Sequence, residues 1–410
     1  MSLEWQEILL RDICERINYG YTASATHEEV GPKFLRITDI VPTLINWQTV
    51  PFCRINDTDI YKYVLNTGDI VIARTGATTG YAKHIRNHPK SVFASYLVRI
   101  RLKESVDNRF IGLVLESEEY KRFIKTNLTG SAQPQANAQI LTSYPLVLPP
   151  LPVQRKIAGI LSAYDDLIEN NRRRIALLEE MAQALYREWF VHFRYPGYEQ
   201  DALVESALGA IPEGWGVVRL GDICFVTMGQ SPSSEFYNAN GDGLPFHQGV
   251  TNFGSRYPTD RMYCTVEGRI AQAGDILFSV RAPVGRINIA DKKIVIGRGL
   301  SAIRSRNGTQ AFLFYQLKEQ FQEEDSIGNG AIFKSVTRED VHGVKLIYPE
   351  QGIVARFDAS IEPILSILEN LTKRNINLRR TRDLLLPRLI GGELDVAGLD
   401  VALGGGDVGG

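Results

Sequence analysis

The sequence predicts an α+β fold made of two similar mixed α/β blocks. Each block is followed by a long helix, and the two helices pair antiparallel as a coiled coil, giving a tandem repeat with a pseudo-twofold. Three observations carry this. First, "IAGILSAYDDLIENNRRRIALLEEMAQALYREWF" (157–190) returns as "FDASIEPILSILENLTKRNINLRRTRDLLLPRLI" (357–390): at an offset of 200, Glu169-Asn170 falls on Glu369-Asn370, Leu178 on Leu378 and Leu185 on Leu385. Second, the sequence ahead of each copy repeats as well. "WQEILLRDIC" (5–14) matches "WGVVRLGDIC" (215–224), and "NTGDIVIARTGATTG" (66–80) matches "QAGDILFSVRAPVG" (272–285). Third, apolar positions in both long stretches step by four and three residues, the spacing of a coiled-coil seam.

The bulk numbers set limits on this fold. At 410 residues the chain is too long for one ordinary domain. A hydrophobic share of 44% with 23% charged residues is that of a globular protein. No apolar run is long enough to predict a membrane span. The start, "MSLEWQEILLRD", lacks a basic-then-apolar leader, which predicts a cytoplasmic location. The net charge of −1 gives no global attraction to nucleic acid, so any basic surface must be local or shared with a partner. Cys14, Cys53, Cys224 and Cys264 form no C-x-x-C pair, which argues against a zinc knuckle. Their spacing instead points to duplication, and they read as small buried thiols in a reducing compartment.

In chain order, residues 1–150 form the first block. Short runs such as "KFLRITDI", "DIVIAR" and "YLVRIRL" between Gly, Asn, Asp and Pro turns predict strands, and 108–128 predicts a helix. Residues 151–194 carry the first long helix. Residues 195–349 hold a Pro- and Gly-containing linker and the second block, whose helix is predicted over 309–325. Residues 350–390 carry the second long helix, with a kink expected at Pro363 and a stop at Pro387. The tail, 391–410, ends in "GGGDVGG" and is expected to be partly disordered.

A helix of that kind is about 57 Å long at 1.5 Å per residue. The chain leaves the first block along one helix and starts back from the second block along the other. The helices therefore run antiparallel, with a block expected at each end. The seams read Ile157, Leu161, Tyr164, Ile168, Asn171, Ile175, Leu178, Ala182, Leu185, Trp189 and Phe357, Ile361, Ile364, Leu368, Leu371, Asn375, Leu378, Arg382, Leu385, Leu389. Aligned end to end, Ile157 faces Leu389, Trp189 faces Phe357, Tyr164 stacks on Arg382, and Asn171 meets Asn375. A slip of one heptad leaves both amides against mismatched partners. Asn171 and Asn375 are therefore predicted to fix the register as one polar layer.

Catalytic motifs are missing. The only Pro-Pro, in "LPPLP", lacks the residues of an amino-methyltransferase motif. "GNGAIFKS" (328–335) nearly matches a phosphate loop, but Phe333 stands where a glycine must let the backbone wrap the phosphate. His84 and His88 are read as loop or DNA-facing residues rather than a metal pair. Two like blocks at a fixed separation suit a target with two sites at a fixed separation, such as double-stranded DNA.

Several motifs carry a resemblance: "TGSAQPQANAQILTSYPLVLPPLPVQRKIAGIL", "LLEEMAQALYREWF", "LGAIPEGWGVVRLGDI" and "LLLPRLIGGELDV", in that order. Over roughly residues 3–397 the chain resembles the specificity subunits of type I restriction-modification systems. It departs at "PEQGIVARF", which lacks the second proline of "PPLPVQ". The resemblance implies two target-recognition domains, each reading half of a bipartite DNA site. It implies that the helices set the gap and dock two modification (methyltransferase) subunits, with restriction subunits joining the complex. It implies no catalysis in this chain: S-adenosylmethionine, ATP and Mg are expected on the partners only, with no membrane association. The reading from a different class is a coiled-coil scaffold with two protein-binding domains and no DNA role.

Base edges are read by Arg, Lys, Asn, Gln and at times His, and phosphates by Lys, Arg, Ser and Thr. On that chemistry the candidate DNA-binding residues of the first block are Arg74, Thr75, Lys83, Tyr96, Arg99, Gln133, Gln135 and Asn137. Those of the second block are His247, Gln248, Asn252, Arg281, Arg286, Arg298, Asn329 and Lys334. Arg172, Arg173 and Arg174 are read as a solvated helix face.

Overall fold

A computed structural model describes residues 5–42, 44–128, 135–322 and 335–399. The chain divides into two compact units. One joins the chain up to Arg172 with the chain from Lys373 onward; the other is the continuous stretch Arg173–Thr372. The divisions fall inside both long helices, Leu151–Phe190 and Gln351–Ile390.

In the first unit, strands Cys14–Tyr19, Leu97–Leu102, Ile70–Ala73 and Ala82–His84 form an antiparallel sheet in that order. Ile70–Ala73 is buried throughout, which is why it reads as the unbroken apolar run "IVIA". A parallel pair, Lys33–Leu35 with Ser91–Phe93, and an antiparallel pair, Gln6–Leu9 with Pro145–Leu148, complete the β structure. The expected helix over 108–128 is two helices, Asn108–Glu116 and Glu118–Asn127. They break at Ser117, which turns extended and caps the second helix by accepting from the Tyr120 amide at 3.3 Å.

The second unit repeats this plan. Cys224–Met228, Leu300–Ser305, Ile276–Ser279 and Ile287–Ile289 form the same antiparallel order. Leu244–His247 pairs parallel with Ile294–Ile296, and Gly216–Arg219 pairs antiparallel with Lys345–Tyr348. The helix here is Gln310–Gln320. Cys14 starts one sheet and Cys224 the other, and Cys53, Cys224 and Cys264 are buried.

Two glycines show how closely the frames agree. A Cβ on Gly20 would be driven into the carbonyl oxygens of Phe93 and Ala94, and one on Gly229 into those of Gly297 and Ile296. In each block a strand end passes so close to a neighbouring turn that only glycine fits.

The expected seam residues lie on the inner faces of the long helices; none of them is exposed. In the first unit Asn171 Nδ2 donates to Asn375 Oδ1 at 3.0 Å, and Asn375 Nδ2 donates to the Ile168 carbonyl at 3.3 Å. The amide layer is therefore present, in the expected antiparallel register. In the second unit Trp189 and Phe357 rings meet at 5.8 Å, and Leu185 packs with Ile361 in one core. Three expectations need correction. Arg382 does not stack on Tyr164; its Nη1 donates to Asp165 Oδ1 at 2.6 Å, because a neighbouring carboxylate outbids a ring for a half-buried guanidinium. Pro363 does not interrupt the second helix, which is continuous from Gln351 to Ile390. Pro387 does not end it either. Both prolines lie on the exposed face, so the carbonyls they leave unbonded face water. Among the described residues no helix is long and apolar enough to cross a membrane.

Candidate nucleic-acid interface

One rim of the first block gathers several of the expected residues. The strand Ile70–Ala73 runs out into Arg74 and Thr75. The Arg74 amide donates to the Tyr96 carbonyl at 3.0 Å, and the Ala136 amide donates to the Arg74 carbonyl at 2.8 Å. Thr75 bridges to Gln135. The Arg74 guanidinium lies over the Tyr19 ring, 4.9 Å from its centroid. Tyr19 is in turn fixed through its hydroxyl, which accepts from the Ala138 amide at 3.0 Å. Asn137 uses its Oδ1 to cap the next turn, accepting from the Ile140 amide at 2.8 Å. Arg74, Thr75, Tyr96, Gln135 and Asn137 thus come together, with Tyr96 60% and Tyr19 43% exposed.

The matching rim of the second block keeps the backbone and changes the side chains. The Val280 amide donates to the Gly299 carbonyl at 2.9 Å, and the Val336 amide to the Val280 carbonyl at 2.9 Å. Arg281 bridges to Ser335 as Thr75 does to Gln135. Val280 therefore stands where Arg74 does, Gly299 where Tyr96 does, and Met228 where Tyr19 does. The cations move one place along: Arg281 and Arg298 are both exposed, and the Arg298 amide donates to Ser231 Oγ at 3.2 Å. Gln248 is exposed beside them, its carbonyl accepting from the Gly299 amide at 2.9 Å. Asn252 is half-buried, and Arg286 is exposed on the hairpin, with its amide donating to Ser279 Oγ at 2.8 Å.

Four residues are corrected, because the fold uses them internally. Arg99 is fully buried: it donates to the carbonyls of Val64 at 2.7 Å and Lys62 at 3.1 Å and to Asn18 Oδ1 at 3.0 Å, and lies 3.7 Å from Asp69. Burial pulls its pKa down to about 10, against the opposing pull of Asp69. Lys83 is buried in an ion pair with Glu116 at 2.9 Å. His247 is buried, with Nε2 3.0 Å from Asp260 Oδ1. Burial alone would raise the Asp260 carboxyl, but hydrogen bonds from His247 and Lys292 outweigh it and hold it below its ordinary value. His84 is a buried strand residue rather than a loop or DNA-facing one, and burial, helped by Arg86, pushes its pKa down to about 4. His88 bonds within its own loop, to Ser91 Oγ at 3.0 Å. Gln133, Asn329, Lys334 and the "GNGAIFKS" segment up to Lys334 lie outside the described residues.

Sequence reasoning missed Tyr19, which completes the rim. Its signal was the repeat itself: "NYGYTAS" (18–24) aligns with "TMGQSPS" (227–233) on the close-packed glycines Gly20 and Gly229.

Comparison with known proteins gives this architecture its class. The family described as "Type I restriction modification DNA specificity domain" matches twice, over residues 2–180 and 212–384, one match for each half of the repeat. The chain belongs to that family, the specificity subunits of type I restriction-modification systems, and its work is DNA sequence recognition. Among relatives, it is 31% identical over 398 residues to a chain of Methanocaldococcus jannaschii assigned as the MjaX specificity subunit of a type I restriction enzyme, covering 92% of this chain and 93% of that one. It is 23% identical to the HindI specificity subunit of Haemophilus influenzae, over 95% of this chain and 100% of the relative. The crystal structure of the type I restriction-modification S subunit from M. genitalium superposes with a TM-score of 0.57 at 15% identity, covering 95% and 96% of the two chains, a likeness of fold.

Proposed function

We propose that each block reads one half of a bipartite DNA sequence, that the paired helices set the gap between the halves, and that the same helices dock two modification subunits. The observation that carries this is the rim described above: the same backbone hydrogen bonds appear twice, holding different side chains. A duplicated frame with exchanged contact residues is what reading two different half-sites needs. Docking is supported by Leu167 and Ile367, which occupy equivalent places in the helix repeat and are 53% and 43% exposed. Two equivalent apolar points on a polar helix face fit two copies of one partner. In this reading the chain is non-catalytic. The modification subunits supply S-adenosylmethionine and methylate adenine, and restriction subunits bring ATP- and Mg-dependent cleavage.

The test is an exchange of residues 1–150 for the same block of a relative, with methylated positions mapped by sequencing in the presence of the modification subunit. One half-site should change while the other and the gap stay. A change in both halves overturns the modular reading. Inserting one heptad into both helices adds about 10 Å, about three base-pair steps. An active variant with an unchanged gap would count against the helices as the spacer.

A further inference from the structure

We infer that Arg74 reads a guanine in the half-site of the first block, with Tyr19 as its platform. The inference rests on the proposal that this block reads DNA.

The argument starts from how Arg74 is held. Its backbone is bonded on both sides, to the carbonyl of Tyr96 and from the amide of Ala136. Its guanidinium lies on the Tyr19 ring, and that ring is itself pinned by the Ala138 amide. Its Nε is buried, with no hydrogen-bond partner among the described residues. Other arginines of the block are tied to carboxylates: Arg36 to Asp39, and Arg99 and Arg101 to Asp69. Arg74 is tied to an aromatic face instead. Such a face fixes the plane of the guanidinium without neutralising its charge or using its terminal N–H groups.

A flat, pre-oriented guanidinium at an exposed rim is suited to a planar pair of acceptors. In the major groove of DNA that pair is O6 and N7 of guanine, which arginine meets with two parallel hydrogen bonds. A phosphate could accept from the same group, but a phosphate contact can equally be made by the point charge of a lysine and carries no sequence information, whereas the acceptor pair of guanine requires the planar fork. Ordering a side chain before binding also lowers the entropy lost on contact. The second block has Val280 at this position and Met228 in place of the platform, so the inference applies to one half-site only.

The test uses the full chain with its modification subunit. The block exchange identifies which half-site belongs to residues 1–150, and the wild-type methylated sites then give its bases. A first half-site without guanine overturns the inference at once. If guanine is present, Arg74→Gln should relax one guanine position to several bases and leave the second half-site intact. Binding to DNA carrying 7-deazaguanine, which lacks the N7 acceptor, should fall about 10- to 100-fold at one position for the wild type and hardly at all for Arg74→Gln. Tyr19→Ala should weaken discrimination at that same position. A uniform loss across all sequences with a shallower salt dependence would make Arg74 a phosphate contact and overturn the inference, as would unchanged discrimination. Should Arg74→Gln fail to fold, the 7-deazaguanine scan on the wild-type complex decides: no sensitive guanine in the first half-site is a negative result. A wild-type complex without any bipartite site would sink the underlying DNA reading instead.

Discussion

The two blocks share a frame and differ in what the frame supports. Asp69 and Asp275 occupy the same turn. Each carboxylate accepts the amide three residues back, from Asn66 at 2.9 Å and from Gln272 at 2.7 Å. Each also pairs with an arginine of the neighbouring strand, Arg101 at 2.8 Å and Arg304 at 2.5 Å. The first block adds Arg99, fully buried, where the sheet register of the second places Ala302. Duplication preserved the backbone contacts, which depend on φ, ψ and the close-packed glycines. It left side chains free to change, both on the rim and in the core.

The largest expected effect separates these two aspartates. Asp69→Ala leaves the buried Arg99 without its counter-charge and should cost the first unit about 3–5 kcal/mol. Asp275→Ala loses the matching amide contact, to Gln272, but its arginine, Arg304, is half-exposed, so it should cost less, about 2 kcal/mol. Denaturant unfolding monitored separately in each unit measures both. Equal losses would mean that Arg99 does not depend on Asp69.

The glycines should behave alike. Gly20→Ala and Gly229→Ala each force a methyl group into backbone carbonyls and should each cost roughly 3 kcal/mol. A mild effect at one position and a severe one at the other would break the claim of a common frame.

The amide layer gives a smaller effect with a change of sign. Asn171→Leu alone leaves the buried Asn375 Oδ1 without its donor and should destabilise by about 1–3 kcal/mol. Adding Asn375→Leu should reverse this and stabilise the coil by about 1 kcal/mol, at the expense of a defined register. Thermal unfolding of the four variants of this cycle is the measurement.

The units should also differ in pH dependence, moving in opposite directions. His84 in the first unit is held neutral, its pKa lowered to about 4 by burial. The unfolded chain takes up that proton near pH 6.5, so the first unit loses stability as pH falls from about 6.5 towards 4. Asp358 in the second unit is raised to about 6, chiefly by burial and further by Glu362, although it accepts the Phe312 amide at 2.8 Å. The folded state binds that proton more tightly, so its penalty is absent below about pH 4 and complete above about 6. The repeat places Ile289 where His84 is and Ala158 where Asp358 is. Asp358→Asn should raise the melting temperature of the second unit above pH 6 and leave it unchanged near pH 4. His84→Leu should blunt the acid loss of the first.

How far the sequence could be read follows from the same division. The repeat, the seams and the Asn171–Asn375 layer are periodic features of a helix, and period is visible in a string of letters. The rim is a different kind of object. Arg74 lies just past the end of one strand and Arg99 inside another, and alternation alone does not say which strand lies in the middle of a sheet. Arg99 points into the carbonyls of Val64 and Lys62, and Lys83 towards Glu116, through contacts between segments that are distant in sequence. Tyr19 escaped notice because its role comes from lying beneath Arg74, a tertiary fact. Pro363 and Pro387 misled because a proline is judged by its ring, whereas its cost in a helix depends on whether water reaches the carbonyl it leaves unbonded.

The way the units divide the chain also bears on its birth at the ribosome. The second unit is one uninterrupted stretch, Arg173–Thr372, whereas the first is assembled from both sides of it. Leu389, Ile390 and Val396 are buried in the same core as Leu10, Ile70 and Ile157. That core cannot close until those late residues emerge. The block translated first is therefore the last to finish folding, and until then it holds an open apolar surface for as long as the other block takes to be made.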